Sequence, residues 1–410
     1  MKDRGLVADI TSPDIIKHTQ SPTTIYCGVD PTARSLHLGN LVTLMGLLHF
    51  GIRGHQAIAL VGGATGSIGD PSGRKSERVP LGPDVLEQNI AGIEKQMHRF
   101  FHNGSVYASA RGFSDPVKPP KVLNNYAWFS NMTALQFLGD VGRYARVSTM
   151  LGKESVKTRL ASEQGISFTE FSYQLLQAYD FYYLNRHHEC QIQLGGSDQW
   201  GNITAGIDMI NKRREADGNG SESSSKAYGM TIPLLLTSSG EKFGKSAGNA
   251  VWLDPTMTSI FDFYQFFMKT TDADVGRYLP MFTLLSSRQV EEVMQEHMKN
   301  PENREAQRVL ANEATELVHG SDGLRDAQTA TKVLFGGDLS TVKGQDIVSA
   351  FRNDPSRFTA ASKLIKSGGM YLNNTKVTDV VYKLSEADLM DNQVCVLRTG
   401  KSSYHVIHVV

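Results

Sequence analysis

Three short apolar runs, Thr24 to Val29, Ala57 to Val61 and Cys190 to Leu194, each stop at glycines or a turn, with helical periodicities between them. This alternation constrains the chain more than any other feature, because strands buried on both faces and joined through helices belong to a parallel sheet. In an open α/β sheet of that kind, ligands bind beyond the carboxyl ends of the strands. The clearest helical stretch runs from Val85 to Phe101. There Leu86, Ile90, Ile93, Met97 and Phe100 recur at steps of four and three, and Asp84 and Glu87 are spaced as a capping box.

From about Pro255 the pattern is helical only, over 260–269, 287–298 and 303–318. Past Gly336-Gly337 it changes again, to a short helix around 360–366 and strand-like segments at 370–372 and 394–397. The expected organisation is therefore an α/β domain over 1–254, an α-helical domain over 255–335 and a small α+β domain over 336–410. Two stretches, 103–121 with Pro116, Pro119 and Pro120, and the Gly- and Ser-rich 211–226, read as inserted loops.

Forty-two basic residues balance forty-two acidic ones, which excludes a polybasic nucleic-acid coat. A local bias survives in 341–410, where nine Lys and Arg face six Asp and Glu. Cys27, Cys190 and Cys395 stand at unrelated spacings, giving neither a disulfide framework nor a zinc cluster and pointing to a reducing compartment. The longest apolar stretch, 36–50, is interrupted by His37, Gly39, Asn40, Thr43 and His49, so no membrane span is expected. Residues 1–24 carry Asp3, Asp9 and Asp14 and match neither a signal peptide nor a transit peptide; any targeting segment is expected to have been removed or never to have existed.

Five segments carry chemistry. In YCGVDPTARSLHLGN a strand turns at Asp30-Pro31 and His37 opens an apolar helix, whose free N–H groups suit phosphate. Gly39 lets a ligand approach the backbone closely. VGGATGSIGDPSGRKSER departs from the dinucleotide register, which disfavours a nicotinamide or flavin enzyme, and its Arg74, Lys75 and Arg78 form a positive cluster. In KFGKS, Gly240 and Gly244 have three residues between them rather than the four of a Walker A loop, leaving Lys242 and Lys245 as mobile charges. Tyr173, Gln177 and Asp180 share one face of a helix expected over 169–184. QIQLGGSDQWGNI ends a strand in glycines with Asp198 and Gln199 just beyond. Each segment alone is compatible with a solvated turn or a satisfied core.

Together, HLGN and KFGKS resemble the HIGH and KMSKS signatures of class I aminoacyl-tRNA synthetases. The wider segments, with EFSYQLLQAYDF and KFGKSAGNAVWLDP, resemble the bacterial and organellar tyrosyl-tRNA synthetases over nearly the whole chain. The resemblance implies a class I Rossmann-like sheet followed by an anticodon-binding helical domain and a small RNA-binding domain. It implies that Tyr26 and Asp180 bind the phenol of L-tyrosine, that Asp70, Tyr173 and Gln177 hold its ammonium, and that Thr65, Asn125 and Gln199 shape the pocket. Cys27, Gly28, Asp30, Gly39, Gly196, Asp198 and Phe243 would line the nucleotide side. Thr32, His37, Asn40, Arg74, Arg78, Lys242 and Lys245 would surround the triphosphate of ATP, with Mg²⁺ sharing the charge and no dedicated protein metal site. Lys363, Lys366 and Lys376 would face RNA phosphates.

The same resemblance implies tRNA(Tyr) as partner, a homodimer formed through about 125–160 within an insertion at about 125–190, and the mitochondrial matrix rather than the bacterial cytoplasm. Three departures stand out: Asn40 replaces the last His of HIGH, Arg74 stands where Lys is frequent, and KFGKS lacks the Met and first Ser of KMSKS while retaining both lysines. Alternatives are a tryptophanyl-type enzyme, against which Asp180 and Tyr26 argue, and a scaffold that also binds group I intron RNA.

Overall fold

A computed structural model describes the chain except for residues 75, 114–117, 119, 218–225, 241, 242, 247, 248, 336–338, 340, 341, 353–369, 378–381, 383, 400–402, 409 and 410. It divides into two compact units, the first comprising Met1–Ala250 with Gly276–Val290 and the second Val251–Val275 with Glu291–Val410.

In the first unit, β1 (Thr24–Val29), β2 (Gln56–Val61), β3 (Lys121–Asn124), β4 (Cys190–Gly196) and β5 (Tyr228–Ile232) form one sheet in the order β3-β2-β1-β4-β5. Every pair in it is parallel. The chain builds outward from β1 through β2 to β3, then returns to the other side of β1 with β4. The gap between β1 and β4 is thus a topological switch point, where an α/β sheet opens a crevice. The outer edge of β5 is covered by residues 8–11, where Ala8 N–H donates to the Thr231 carbonyl at 2.7 Å and Thr11 N–H to that of Gly229 at 3.0 Å.

Four helices flank the sheet: α1 (Leu38–Gly51), α2 (Pro83–Ala110), α3 (Phe168–His188) and α4 (Trp200–Ala216). Helix α1 is apolar almost throughout and correspondingly buried. Helix α2 departs from expectation at both ends. It starts at Pro83, whose fixed φ suits a first helical position, and Asp84 and Glu87 make no side-chain cap. At the other end it continues to Ala110, because Gly104, Tyr107 and Ala108 prolong the buried stripe; residues 103–110 are therefore helix rather than inserted loop. Likewise 211–216 belong to α4, and the remainder of that second expected loop lies largely outside the described residues.

Helix α3 begins at Ser167, whose hydroxyl accepts the Glu170 N–H at 3.2 Å. Within its first turn the Glu170 carboxylate takes a bidentate pair from Arg159 at 2.7 and 3.0 Å, with both side chains almost wholly buried. The start of the helix that carries Tyr173, Gln177 and Asp180 is fixed by that pair.

The later helices are α5 (Ile260–Met268), α6 (Asp272–Phe282), α7 (Ser287–His297), α8 (Glu305–Leu334) and α9 (Gly344–Phe351). Sequence periodicity does not reveal α6, whose Pro280 falls in its last turn, or the second half of α8 beyond the kink at Gly320. In the second unit a four-stranded antiparallel sheet follows, from β6 (Met370–Leu372), β7 (Thr375–Val377), β8 (Val394–Thr399) and β9 (Ser403–His408), in the order β9-β8-β6-β7. Phe261, Val333, Ile347, Phe351, Val396 and Val406 join helices and sheet in one core. The expected helix at 360–366 lies outside the described residues. None of the helices described is long and apolar enough to cross a membrane.

Candidate active site

A cavity of about 720 Å³ opens at the carboxyl ends of β1 and β4. Tyr26, Cys27, Gly28 and Asp30 reach it from β1, Asn125 from the end of β3, Tyr173, Gln177 and Asp180 from α3, and Gly196, Asp198 and Gln199 from the turn after β4. Thr65, Asp70, Arg74 and Arg78 enter from the loop after β2, and Thr32, His37, Gly39, Asn40 and Phe243 close the remaining side. Segments far apart in sequence thus converge because each follows, or faces, the carboxyl end of a strand.

At the deep end, Asp180 is 3% exposed. Its Oδ2 accepts from Asn125 Nδ2 at 3.1 Å and its Oδ1 from Trp128 Nε1 at 2.8 Å. Burial pushes its carboxyl up to about 8, against the pull of those two donors. The Tyr26 side chain is 1% exposed and its hydroxyl has no partner among the described residues. Burial, and then the charge of Asp180, hold that phenol well above its ordinary value, so it remains an O–H. A buried hydroxyl without a partner costs about 1–3 kcal/mol, which a ligand atom at this position would relieve. Gln193, beside Tyr26 in the β1–β4 register, likewise leaves Oε1 unpartnered in the cavity wall.

Two carboxylates occupy the middle. Asp30 accepts from Thr65 Oγ1 at 2.7 Å and from the Tyr173 hydroxyl at 2.8 Å. Burial lifts it to about 6, opposed by the Thr65 hydrogen bond. The tie to Tyr173 joins Asp30 to the residues expected around the ammonium, beyond its expected place on the ribose side. Asp70 accepts from Gln199 Nε2 at 2.7 Å, from the Ser72 N–H at 2.9 Å and from Asn202 Nδ2 at 3.4 Å. Gln177 Nε2 in turn donates to Gln199 Oε1 at 3.2 Å. Among the described residues neither carboxylate forms an ion pair, which leaves two acidic groups facing one space suited to a cation.

On the outer side His37 is the N-cap of α1, and its N–H donates to Asn40 Oδ1 at 3.1 Å. A Cβ at position 39 would lie 2.7 Å from the His37 ring, so a side chain there would push the imidazole out of its place. Burial holds His37 below its ordinary value and keeps the ring neutral at pH 7. Cys27, pushed up to about 12 by burial, is a thiol and not a nucleophile. Phe243 is buried against Tyr278 and Phe282, with ring centroids 4.8 and 5.0 Å away, and Gly244, at φ +86°, lies against Leu38. Lys242 lies outside the described residues, as do Lys363 and Lys366; Lys245 and Lys376 are described only as strand backbone. Trp128 joins the site without any sign in the sequence, since nothing in its local pattern marks its partner; Gln193 and Asn202 fall within the QIQLGGSDQWGNI segment, but its spacing singles out neither of them.

Residues 17–336 match the family of class I tRNA synthetases for tryptophan and tyrosine, and 345–407 match the SYY-like C-terminal domain of tyrosine–tRNA ligases. The mitochondrial tyrosine–tRNA ligase of Saccharomyces cerevisiae is 40% identical, covering 100% of this chain and 88% of its own length. The tyrosine–tRNA ligase of Roseiflexus castenholzii is 42% identical over 94% of this chain and 93% of its own. Among solved structures, a C-terminally truncated mitochondrial tyrosyl-tRNA synthetase of Aspergillus nidulans superposes with a TM-score of 0.75 at 36% identity, covering 82% of this chain and 92% of that one. Sheet order, cavity and relatives agree: the chain belongs to the class I tyrosyl-tRNA synthetases, which activate tyrosine with ATP and transfer it to tRNA(Tyr).

Proposed function

We propose that tyrosine lies with its phenol between Tyr26 and Asp180, its ammonium among Asp70, Tyr173 and Gln177, and its carboxylate toward His37. The observation that carries this is the buried Tyr26 hydroxyl, without a partner among the described residues, in the same cavity as Asp180. MgATP then occupies the side of Cys27, Gly28, Gly196 and Asp198, with its triphosphate toward Thr32, His37, Asn40, Arg74, Arg78 and the lysines of the 242–245 loop. The tyrosine carboxylate attacks the α-phosphorus in line, the bond to the bridging oxygen breaks, and pyrophosphate leaves. No protein nucleophile is required; positioning and fixed donors supply the acceleration, and Mg²⁺ carried in with ATP would add positive charge to the triphosphate beside Arg74, Arg78 and the lysines of the loop. A ribose hydroxyl of tRNA(Tyr) then takes the tyrosyl group and AMP departs.

In this scheme neutral His37 donates an N–H to charge that grows in the transition state. His37→Ala therefore lowers kcat for tyrosine-dependent pyrophosphate exchange by about 10²-fold with the KM for tyrosine unchanged. An equal rise in that KM with kcat preserved would place His37 on the amino acid instead.

The segment from 126 to 168 exposes Tyr126, Leu135, Leu138, Val147, Leu151, Leu160 and Phe168. That much uncovered apolar surface supports a homodimer through about 125–160, within the insertion assigned to 125–190. Leu135→Asp combined with Leu138→Asp should convert the dimer to a monomer in sedimentation velocity; an unshifted dimer would move the interface elsewhere. We assign 255–335 to the anticodon and 336–410, including Lys363, Lys366 and Lys376, to further tRNA contacts; the match of 345–407 to a tyrosine–tRNA ligase C-terminal domain supports this. Mitochondrial residence is supported by the yeast and Aspergillus relatives. Among the described residues nothing selects an intron-RNA surface.

A further inference from the structure

The loop from Pro31 to Leu36, which delivers Thr32 and His37 to the cavity, is held by one face of α2. Asn89, Gly92 and Gln96 are three and four residues apart on that helix and so share a face. Asn89, 6% exposed, donates Nδ2 to the Pro31 carbonyl at 3.0 Å. Gln96, 7% exposed, accepts the Leu36 N–H at 2.9 Å and the Ser35 hydroxyl at 3.2 Å through Oε1, and its Nε2 donates to the Arg34 carbonyl at 3.4 Å. Between them, a Cβ at Gly92 would lie 2.3 Å from the Arg34 carbonyl oxygen, so any side chain there would lift the loop. The loop is thereby fixed at Pro31 and again along Arg34, Ser35 and Leu36, ending one residue before the N-cap of α1.

We propose that Asn89, Gly92 and Gln96 form a polar cradle that sets the height of His37 and of the α1 N-terminus over the cavity, making Gln96 a positioning residue for adenylate formation. Simple packing does not account for it. The same buried stripe carries Ile93, Met97 and Phe100, and two amides among them carry a desolvation cost that apolar residues would avoid. What the amides add is direction: Gln96 grips the backbone N–H next to His37. A displacement of about 1 Å at a reacting geometry can cost roughly 10²-fold in rate. The tyrosine end is built from β1, α3 and the strand ends, none of which bonds to Gln96, whose partners are confined to residues 34–36; Asn89 lies nearer to it, through Pro31 beside Asp30. The inference rests on the assignment of His37 to the phosphates.

The test is pre-steady-state formation of tyrosyl adenylate, with tyrosine Kd from equilibrium dialysis, for Gln96→Leu, Gln96→Glu, His37→Ala and the Gln96→Leu/His37→Ala double variant of the full chain. Gln96→Leu is expected to slow adenylate formation at least about 10-fold with tyrosine Kd unchanged within about twofold. Gln96→Glu, which keeps the acceptor for the Leu36 N–H, should recover most of that loss. Because Gln96 acts through His37, the double variant should be no more than about threefold slower than His37→Ala alone. The cradle is overturned if Gln96→Leu runs at the wild-type rate while His37→Ala is slow. It is also overturned if rate and tyrosine affinity fall together, if the Glu variant is as slow as the Leu variant, or if the two losses multiply. A fast His37→Ala would instead remove the reading of His37 on which the cradle depends.

Discussion

Asp180→Ala will lower kcat/KM for tyrosine activation by roughly 10³-fold or more while changing the KM for ATP less than about threefold. The side chain is almost wholly buried, its two oxygens are oriented by Asn125 and Trp128, and it lines the cavity beside a tyrosine hydroxyl that has no partner among the described residues. Removing it leaves those two donors and the incoming phenol to find water in a space that admits little. The size of the expected loss is taken over from the enzyme class, since tyrosyl-tRNA synthetases are the standard example of rejecting phenylalanine through polar groups that only a phenol satisfies. Pyrophosphate exchange with varied tyrosine and varied ATP checks the split; comparable losses for both substrates would contradict the assignment.

The same carboxyl carries a pH signature. Its value rises from the ordinary 3.8 to about 8 in the folded chain, so the native state holds a proton that the unfolded state gives up. The stability it contributes is full below about pH 4 and is lost as pH rises toward 8. Asp180→Asn, neutral throughout, should therefore gain on the wild type in thermal scans across that window. Asp30, lifted to about 6, adds a slope of the same sign in both proteins.

Arg159→Leu is expected to cost about 3–5 kcal/mol of stability, because it leaves the Glu170 carboxylate buried without its partner. The pair is bidentate at 2.7 and 3.0 Å, and a third bond runs from Arg159 to Ser162 at 2.6 Å. Glu170 lies one turn before Tyr173, so tyrosine affinity should fall together with the melting temperature of the first unit. Replacing both partners, Arg159→Met with Glu170→Leu, should recover most of the loss, since two apolar groups leave no orphaned charge. A single variant that melts within about 1 °C of the wild type, against the several degrees such a loss implies, would show that the pair is not what fixes the start of α3.

Strands β1, β2 and β4 were legible because each is a compact apolar run buried on both faces. Strand β3 has only four residues, and β5 contains Gly229, which a periodicity reading takes for a turn. The structure gives the reason for that glycine: a Cβ there would meet the Ile203 side chain at 2.2 Å, so α4 packs directly on the strand. In the site, the helical spacing of Tyr173, Gln177 and Asp180 marked one wall from sequence alone. Trp128 could not be found that way, since its partner Asp180 lies 52 positions away; Asn202 stands one helical turn from Gln199, but its second partner Asp70, 132 positions away, is visible only in the fold. Glycines 39 and 244 were visible as glycines, but the structure supplies the reasons: the His37 ring lies where a side chain at 39 would go, and residue 244 adopts φ +86° against Leu38.

The central claim is that one crevice between β1 and β4 reads the phenol at Tyr26 and Asp180 and presents the α-phosphorus near His37. A crystal structure with a non-hydrolysable tyrosyl-adenylate analogue tests it most directly. The account requires the phenolic oxygen within about 3.2 Å of both the Tyr26 hydroxyl and an Asp180 carboxylate oxygen, with the phosphoryl group against the start of α1. A phenol bonded to neither side chain, or an analogue seated outside the crevice, would contradict it.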